Sequence, residues 1–377
     1  MRAFARVRGE FSERLYILGF IEFMVNYKQR VKALFDGADF DHALVSSSES
    51  LRYFSGFAGI GGAYLFLRSD GTSKMFVTEL EAPDAKEASF DELVVIPKNK
   101  KFQEEVFKAV ADEIGRGPLG IEDSYVTLSA YEEMKQYVGN WVGVSKRISS
   151  LRMIKDEDEI ALIKQAIKIS EESFLDILKE IKPGVTENHV AAELEKAMKE
   201  RGAEGVAFPT IVASGYRAAN PHAVSSDKRI RDGDVVVVDF GSRYRGYDSD
   251  LTRTLFVGDV GEKMRSAFEA VYETQQVCFH SLRIGSSLSE VAKLAITNLA
   301  KYGLDIYYTH SLGHGVGLEI HESPYLSVTS GDLLNEGNVF TIEPGVYIEG
   351  LGGIRIEDDF LATKEEVTRL SSLPVRF

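Results

Sequence analysis

Two stretches of this chain end on carboxylates where an ionised side chain is costly. Arg231-Asp232-Gly233-Asp234 leads into Val235-Val236-Val237-Val238-Asp239-Phe240-Gly241, and Asn335-Glu336-Gly337-Asn338 leads into Val339-Phe340-Thr341-Ile342-Glu343-Pro344-Gly345. Each runs a glycine turn into an apolar strand that stops at an acid. A lone carboxylate taken out of water is strongly disfavoured unless a cation meets it, and a metal ion is such a cation. Further acids follow at similar remove, Asp250 after Asp239 and Glu357 after Glu343, and His314 lies between the two halves.

Tyr244-Arg245-Gly246-Tyr247 is a turn signal, so 235–242 and 249–257 are predicted as adjacent antiparallel strands that bring Asp239 close to Asp250. Like charges on neighbouring strands repel unless a cation lies between them. Glu343 and Glu357 repeat the arrangement. Two divalent cations would neutralise the four carboxylates, with His314 completing an asymmetric pair of sites. Oxygen-rich coordination with one imidazole suits manganese, cobalt or iron, and admits zinc. Paired metals about 3.5–4 Å apart make water a nucleophile near neutral pH, which is chemistry for hydrolysis.

Four of the seven histidines, His222, His310, His314 and His321, fall in segments rich in Gly, Pro, Ser and Asn. Such loops let side chains converge on a substrate. His314 is assigned to metal, and His222 and His321 to substrate and the developing oxyanion. His310 is expected behind them. Arg355, two residues before Glu357, should share its strand face and orient the carboxylates. His42, His189 and His280 sit in ordinary strand or helix contexts.

The elements that must position these groups fall into two α/β units. A net charge of −14 argues against nucleic acid, and 44% hydrophobic residues fit a globular protein without a membrane span. The single cysteine, Cys278, excludes an internal disulfide and reads as a buried hydrophobe. Residues 1–23 read as an extension and not a cleaved signal, which makes the expected location cytoplasmic. Residues 24–150 predict a smaller α/β domain: a helix over 26–35, strands at 42–45, 63–67, 74–77, 93–96 and 119–122, and an Asp70-Gly71 turn. Residues 151–377 form the second domain, opening at Asp156-Glu157-Asp158-Glu159, where Asp156 can cap and Glu159 reach back. Here Lys182-Pro183-Gly184 through Val190-Ala191 to Gly202 is echoed by Arg283-Ile284-Gly285 through Val291-Ala292 to Gly303. Together with the paired strands, this echo predicts one unit used twice about a pseudo-twofold axis, with the site where the halves meet.

The blocks Asp239-Phe240-Gly241, Asp250-Leu251-Thr252-Arg253-Thr254, His310 through Glu322, Thr341-Ile342-Glu343-Pro344-Gly345 and Gly353-Ile354-Arg355-Ile356-Glu357-Asp358 resemble the signatures of the pita-bread metallopeptidases. The Xaa-Pro branch, prolidase and aminopeptidase P, is most similar. The resemblance implies a C-terminal pita-bread (creatinase/aminopeptidase-type) domain behind a creatinase-like N-terminal domain. It implies that Asp239 binds one metal, His314 and Glu343 the other, and that Asp250 and Glu357 bridge. Glu343 would also carry a proton to the leaving nitrogen, and His222 and His321 would hold substrate and intermediate. The implied substrate is a small peptide with proline second, and the implied assembly a homodimer. Some prolidases carry a basic residue shortly after the His-Glu pair; here the segment reads His321-Glu322-Ser323-Pro324-Tyr325. Dipeptide cleavage is therefore weighed against an aminopeptidase P activity on longer peptides. Methionine aminopeptidase fits less well, because those chains usually lack a domain like 24–150. A metal-free binding module or creatinase-type hydrolase would have replaced several of the five ligands, and this chain keeps all five.

Overall fold

The computed structural model describes residues 25–59 and 61–377, so the extension expected over 1–23 lies outside the described residues. The first part of the chain forms a six-stranded sheet from β1 (His42–Val45), β2 (Ala63–Arg68), β3 (Ser73–Thr78), β4 (Glu92–Ile96), β5 (Leu119–Ile121) and β6 (Trp141–Gly143), in the order β4-β3-β2-β1-β5-β6. Each expected strand is present. Gly71 turns the β2–β3 hairpin with φ 89°, and the Asp70 carboxylate accepts from Thr72 N at 2.8 Å. The helix Tyr27–Phe35 starts where expected, with the Asn26 side chain accepting from Gln29 N. One face of the sheet buries Phe66, Phe76 and Phe107. The other joins a core shared with Ile163, Ile167, Leu318 and Val339 of the second part, which seats the sheet on the unit that follows.

The helix Ser145–Met153 crosses the division drawn at 150 and leads directly to the next helix. Lys155 N donates to Gly337 O at 2.9 Å. Asp156 and Glu159 then form the expected reciprocal cap at the start of Glu157–Ile177.

The second part contains the repeat. Helices Glu157–Ile177 and Glu187–Glu200 correspond to Glu262–Ser281 and Leu288–Ala300. The paired glycines all take positive φ: Gly184 and Gly285 at 90° and 85°, Gly202 and Gly303 at 92° and 67°, Gly233 and Gly337 both at 84°. Equal backbone demands at equivalent points are what two copies of one plan require.

The strands are β7 (Gly205–Val206), β8 (Ile211–Ser214), β9 (Val235–Phe240), β10 (Ser242–Tyr244), β11 (Tyr247–Asp248), β12 (Leu251–Phe256), β13 (Gly313–Gly315), β14 (Glu322–Leu326), β15 (Val339–Ile342), β16 (Gly345–Ile348), β17 (Gly352–Arg355), β18 (Asp358–Ala362) and β19 (Val367–Arg369). One sheet runs β12-β9-β8 and another β14-β13-β15-β18-β19. The pairing of β9 with β12 is antiparallel as expected, with Asp239 opposite Thr252. The single long strand expected over 235–242 is broken at Gly241, because the chain approaches Ser249 too closely to continue. A Cβ at Gly241 would stand 1.9 Å from Ser249 O. The broken ends reform as the β10–β11 hairpin, turned by Arg245 and Gly246 at φ 48° and 85°. In the second copy Glu343-Pro344 makes the equivalent break before the β16–β17 hairpin.

A backbone bridge joins the copies, where Glu357 N donates to Thr252 O at 3.2 Å. Arg253 reinforces the junction from behind. This fully buried guanidinium pairs with Asp358 at 2.6 Å and donates to the carbonyls of Glu357, Leu373 and Pro374 at 2.6, 2.9 and 2.8 Å. Arg253→Met would leave Asp358 buried without this cation, and breaking such a pair costs about 3–5 kcal/mol. Denaturant unfolding should show a lower midpoint by that measure; an unchanged midpoint would mean the pair contributes nothing.

Candidate metal centre

All nine residues singled out in the sequence line one cavity of about 470 Å³: Asp239, Asp250, Glu343, Glu357, Arg355, His222, His310, His314 and His321. Each arrives from a predictable piece of backbone. Asp239 is the penultimate residue of β9, and Asp250 precedes β12, placed by register on the same face because Asp239 faces Thr252. Glu343 and Glu357 flank the β16–β17 hairpin, and His314 is the middle residue of β13.

The ligand atoms converge. One atom each from Asp250, His314 and Glu357 lie within 4.8 Å of one another, and all three residues are buried. His314 Nε2 stands 3.5 Å from Asp250 and 3.3 Å from Glu343. Its Nδ1 faces Gly315 O at 3.1 Å, an acceptor only, so Nδ1 carries a proton there and, in the neutral ring, Nε2 keeps a lone pair for the centre. Thr252 Oγ1 donates to Glu357 at 2.6 Å and aims that carboxylate.

These carboxylates do not satisfy one another. Asp239 gives one oxygen to Arg355 at 2.6 Å, while its Oδ1 is buried without a partner. Asp359 joins the cluster too: its Oδ2 accepts from Asp250 N at 3.0 Å and its Oδ1 is likewise unpartnered. Burial, then the charges of Glu357 and Asp239, push the Asp250 carboxyl far above its ordinary value. Burial with Glu343 and Asp239 does the same to Glu357. Asp239 is raised by burial against the pull of Arg355. Glu343 goes the other way: burial would raise it, but His314, His310 and Arg355 hold it at about 2. Arg355 is the one Lys or Arg among the described residues lining the cavity, against four acids. Orphaned buried oxygens, elevated acids and an imidazole lone pair form a donor set that fits divalent cations.

The substrate-side histidines stand differently. His310 Nδ1 donates to Ser311 O at 2.7 Å, leaving Nε2 to accept from Tyr347 OH at 2.9 Å, and that hydroxyl accepts from Arg355 at 2.6 Å. Burial holds His310 below the usual histidine value, despite Glu343. His321 is exposed and meets the His314 ring edge-on with centroids 4.3 Å apart. His222 is exposed on the loop after β8. That loop is tied by Glu187, a fully buried carboxylate that accepts from Ser214 N and Oγ at 2.8 Å, Arg217 at 3.0 Å and Ser226 Oγ at 2.6 Å.

Several members of the site carry no local signal in the sequence. Tyr347 reads as an ordinary strand residue, and Glu187 as a first-turn helix acid. Asp359 follows two other acids, and only the register of β18 separates its role from theirs. The apolar wall of the cavity, Phe208, Ile211, Val224 and Ile320, is scattered over three segments.

Residues 161–364 match metallopeptidase family M24, and residues 28–154 match the creatinase/prolidase N-terminal domain. A Xaa-Pro dipeptidase from Pyrococcus horikoshii is 40% identical over 348 residues, covering 91% of this chain and 97% of that one. Among solved structures, a Xaa-Pro dipeptidase from Bacillus anthracis superposes with a TM-score of 0.87 at 34% identity, covering 93% of this chain and 99% of that one. An X-Pro aminopeptidase from Thermotoga maritima gives 0.85 at 35%, covering 92% and 99%.

The elevated acids make a thermodynamic prediction. A carboxyl whose value is raised keeps its proton to higher pH than an ordinary one, and a cation entering the cluster must displace that proton, so affinity should rise with pH. Adding manganese to metal-free protein at pH 7 should acidify a weakly buffered indicator solution, and Asp250→Asn should shrink the signal. Binding without proton release would contradict the raised values.

Proposed function

The chain belongs to metallopeptidase family M24, and from that premise we propose that it hydrolyses the bond before proline in Xaa-Pro dipeptides. In this reading Asp239, Asp250, His314, Glu343 and Glu357 hold two divalent cations per subunit, manganese or cobalt before zinc or iron. When bound, such ions lower the pKa of water and polarise the scissile carbonyl. The observation that carries the reading is the convergence of these donors beside an apolar wall, Phe208, Ile211, Val224 and Ile320, suited to a proline ring.

The remaining steps belong to the chain's own residues. Glu343 stays ionised, the form that takes a proton from attacking water and passes it to the leaving nitrogen. That transfer matters because the tertiary amide nitrogen of an Xaa-Pro bond has no hydrogen of its own. His321, lowered chiefly by burial, and His222 face the cavity where a carbonyl oxygen gains charge, and each can donate a hydrogen bond to it. Arg355 fixes Asp239 and, through Tyr347, the tautomer of His310.

A second reading, cleavage of longer Xaa-Pro peptides, is favoured by Tyr325. This half-exposed phenol lines the cavity mouth and offers a hydrogen bond but no charge to a dipeptide carboxylate. The likeness to an X-Pro aminopeptidase is of the same strength as that to a dipeptidase. A homodimer acting in the cytoplasm completes the proposal; among the described residues no helix is long and apolar enough to cross a membrane.

Metal-free protein reconstituted with manganese, cobalt, zinc or iron and assayed on Met-Pro and Ala-Pro-Ala tests both readings. Met-Pro should turn over with manganese or cobalt, and chelation should abolish it. Good cleavage of Ala-Pro-Ala with none of Met-Pro would replace the dipeptidase reading by the second. His321→Ala should lower kcat about a hundredfold, the scale of losing one oxyanion donor.

A further inference from the structure

Lys155 lies outside the cavity, on the connector between the two parts of the chain, yet its side chain is only 1% exposed. Its ammonium donates to Glu322 Oε1 at 2.7 Å. Arg152, from the helix Ser145–Met153, donates to Glu322 Oε2 and also to Glu319 at 2.8 Å. Glu322 directly follows His321. The same carboxylate accepts from Glu319 N at 3.2 Å, which folds residues 317–322 back on themselves. Gly317 makes this close return possible, since a Cβ there would stand 2.4 Å from Glu322 Oε1. On the far side, Asp248 N donates to Gly317 O at 2.8 Å. Burial would raise the Glu322 carboxyl, but Lys155 and Arg152 override it and hold the group ionised.

The His321 imidazole itself makes no hydrogen bond or ion pair among the described residues; its ring meets that of His314 edge-on. Its direction is therefore set by the backbone it stands on, and that backbone is fixed one residue away by the Glu322 carboxylate. We propose that Lys155 and Arg152 are positioning residues for hydrolysis, acting through Glu322 to aim His321 at the substrate. The connector between the two parts of the chain then contributes to the reaction. The inference rests on the reading of His321 as a substrate contact.

A double-mutant cycle separates this role from simple docking of the two domains, because two residues acting through one another are non-additive. Lys155→Met should lower kcat on the preferred Xaa-Pro substrate about tenfold, the lower end for losing a supporting partner, with KM little changed. Lys155→Arg should recover most of it. In the His321→Ala background the same Lys155→Met change should cost almost nothing. An equal loss in both backgrounds, with His321→Ala itself slow, would overturn the positioning role alone. A His321→Ala enzyme as fast as the parent would overturn the substrate-contact reading and this inference with it. Should Lys155→Met fail to fold, Glu322→Gln takes its place in the cycle, with the same two outcomes deciding. Equal metal content by elemental analysis in each variant keeps the comparison to the histidine.

Discussion

The repulsion among buried acids at the junction of two hairpins is the constraint on which the molecule turns. Asp239, Asp250, Glu343 and Glu357 are brought into one cavity by strand registers that hydrogen bonding fixes, whatever the charges prefer. Without a cation the chain's own remedies are partial. Arg355 answers one acid, Thr252 another, and two carboxylate oxygens are left buried with nothing to accept from. Such a cluster suits a neutralising ion, and the surrounding packing is what prevents the acids from moving apart instead.

That packing explains why helices so far from the cavity matter. The paired helices of each copy cover the outer faces of the central strands, and Arg253 fills the space behind the junction with a fully buried charge. From β12 the guanidinium reaches the Asp358 carboxylate and the carbonyls of Glu357, Leu373 and Pro374, so it fixes the spacing between β12, the start of β18 and the stretch at 373–374. The clustered carboxylates are thus held by backbone elements that have little freedom to relax toward solvent.

Much of this was legible in the residues. The blocks ending at Asp239 and Glu343 announced both the strands and the charge problem, and the glycine echoes announced the duplication, because turns with positive φ leave a residue type behind. What escaped was set by tertiary approach. The strand through 235–242 breaks at Gly241 because of where Ser249 lies, which no local propensity records. Tyr347 and Asp359 join the site through register alone. The tie from Lys155 to Glu322 joins residues far apart in sequence, neither of which sits in an unusual local pattern.

The backbone bridge of Thr252 with Glu357 joins the two copies, and each copy brings its own acids to the one cavity. Duplication usually confers redundancy, a spare to fall back on. Here it confers none: the one cavity takes acids from both copies, so neither copy can stand in for the other, and the internal symmetry adds places to fail in place of a spare.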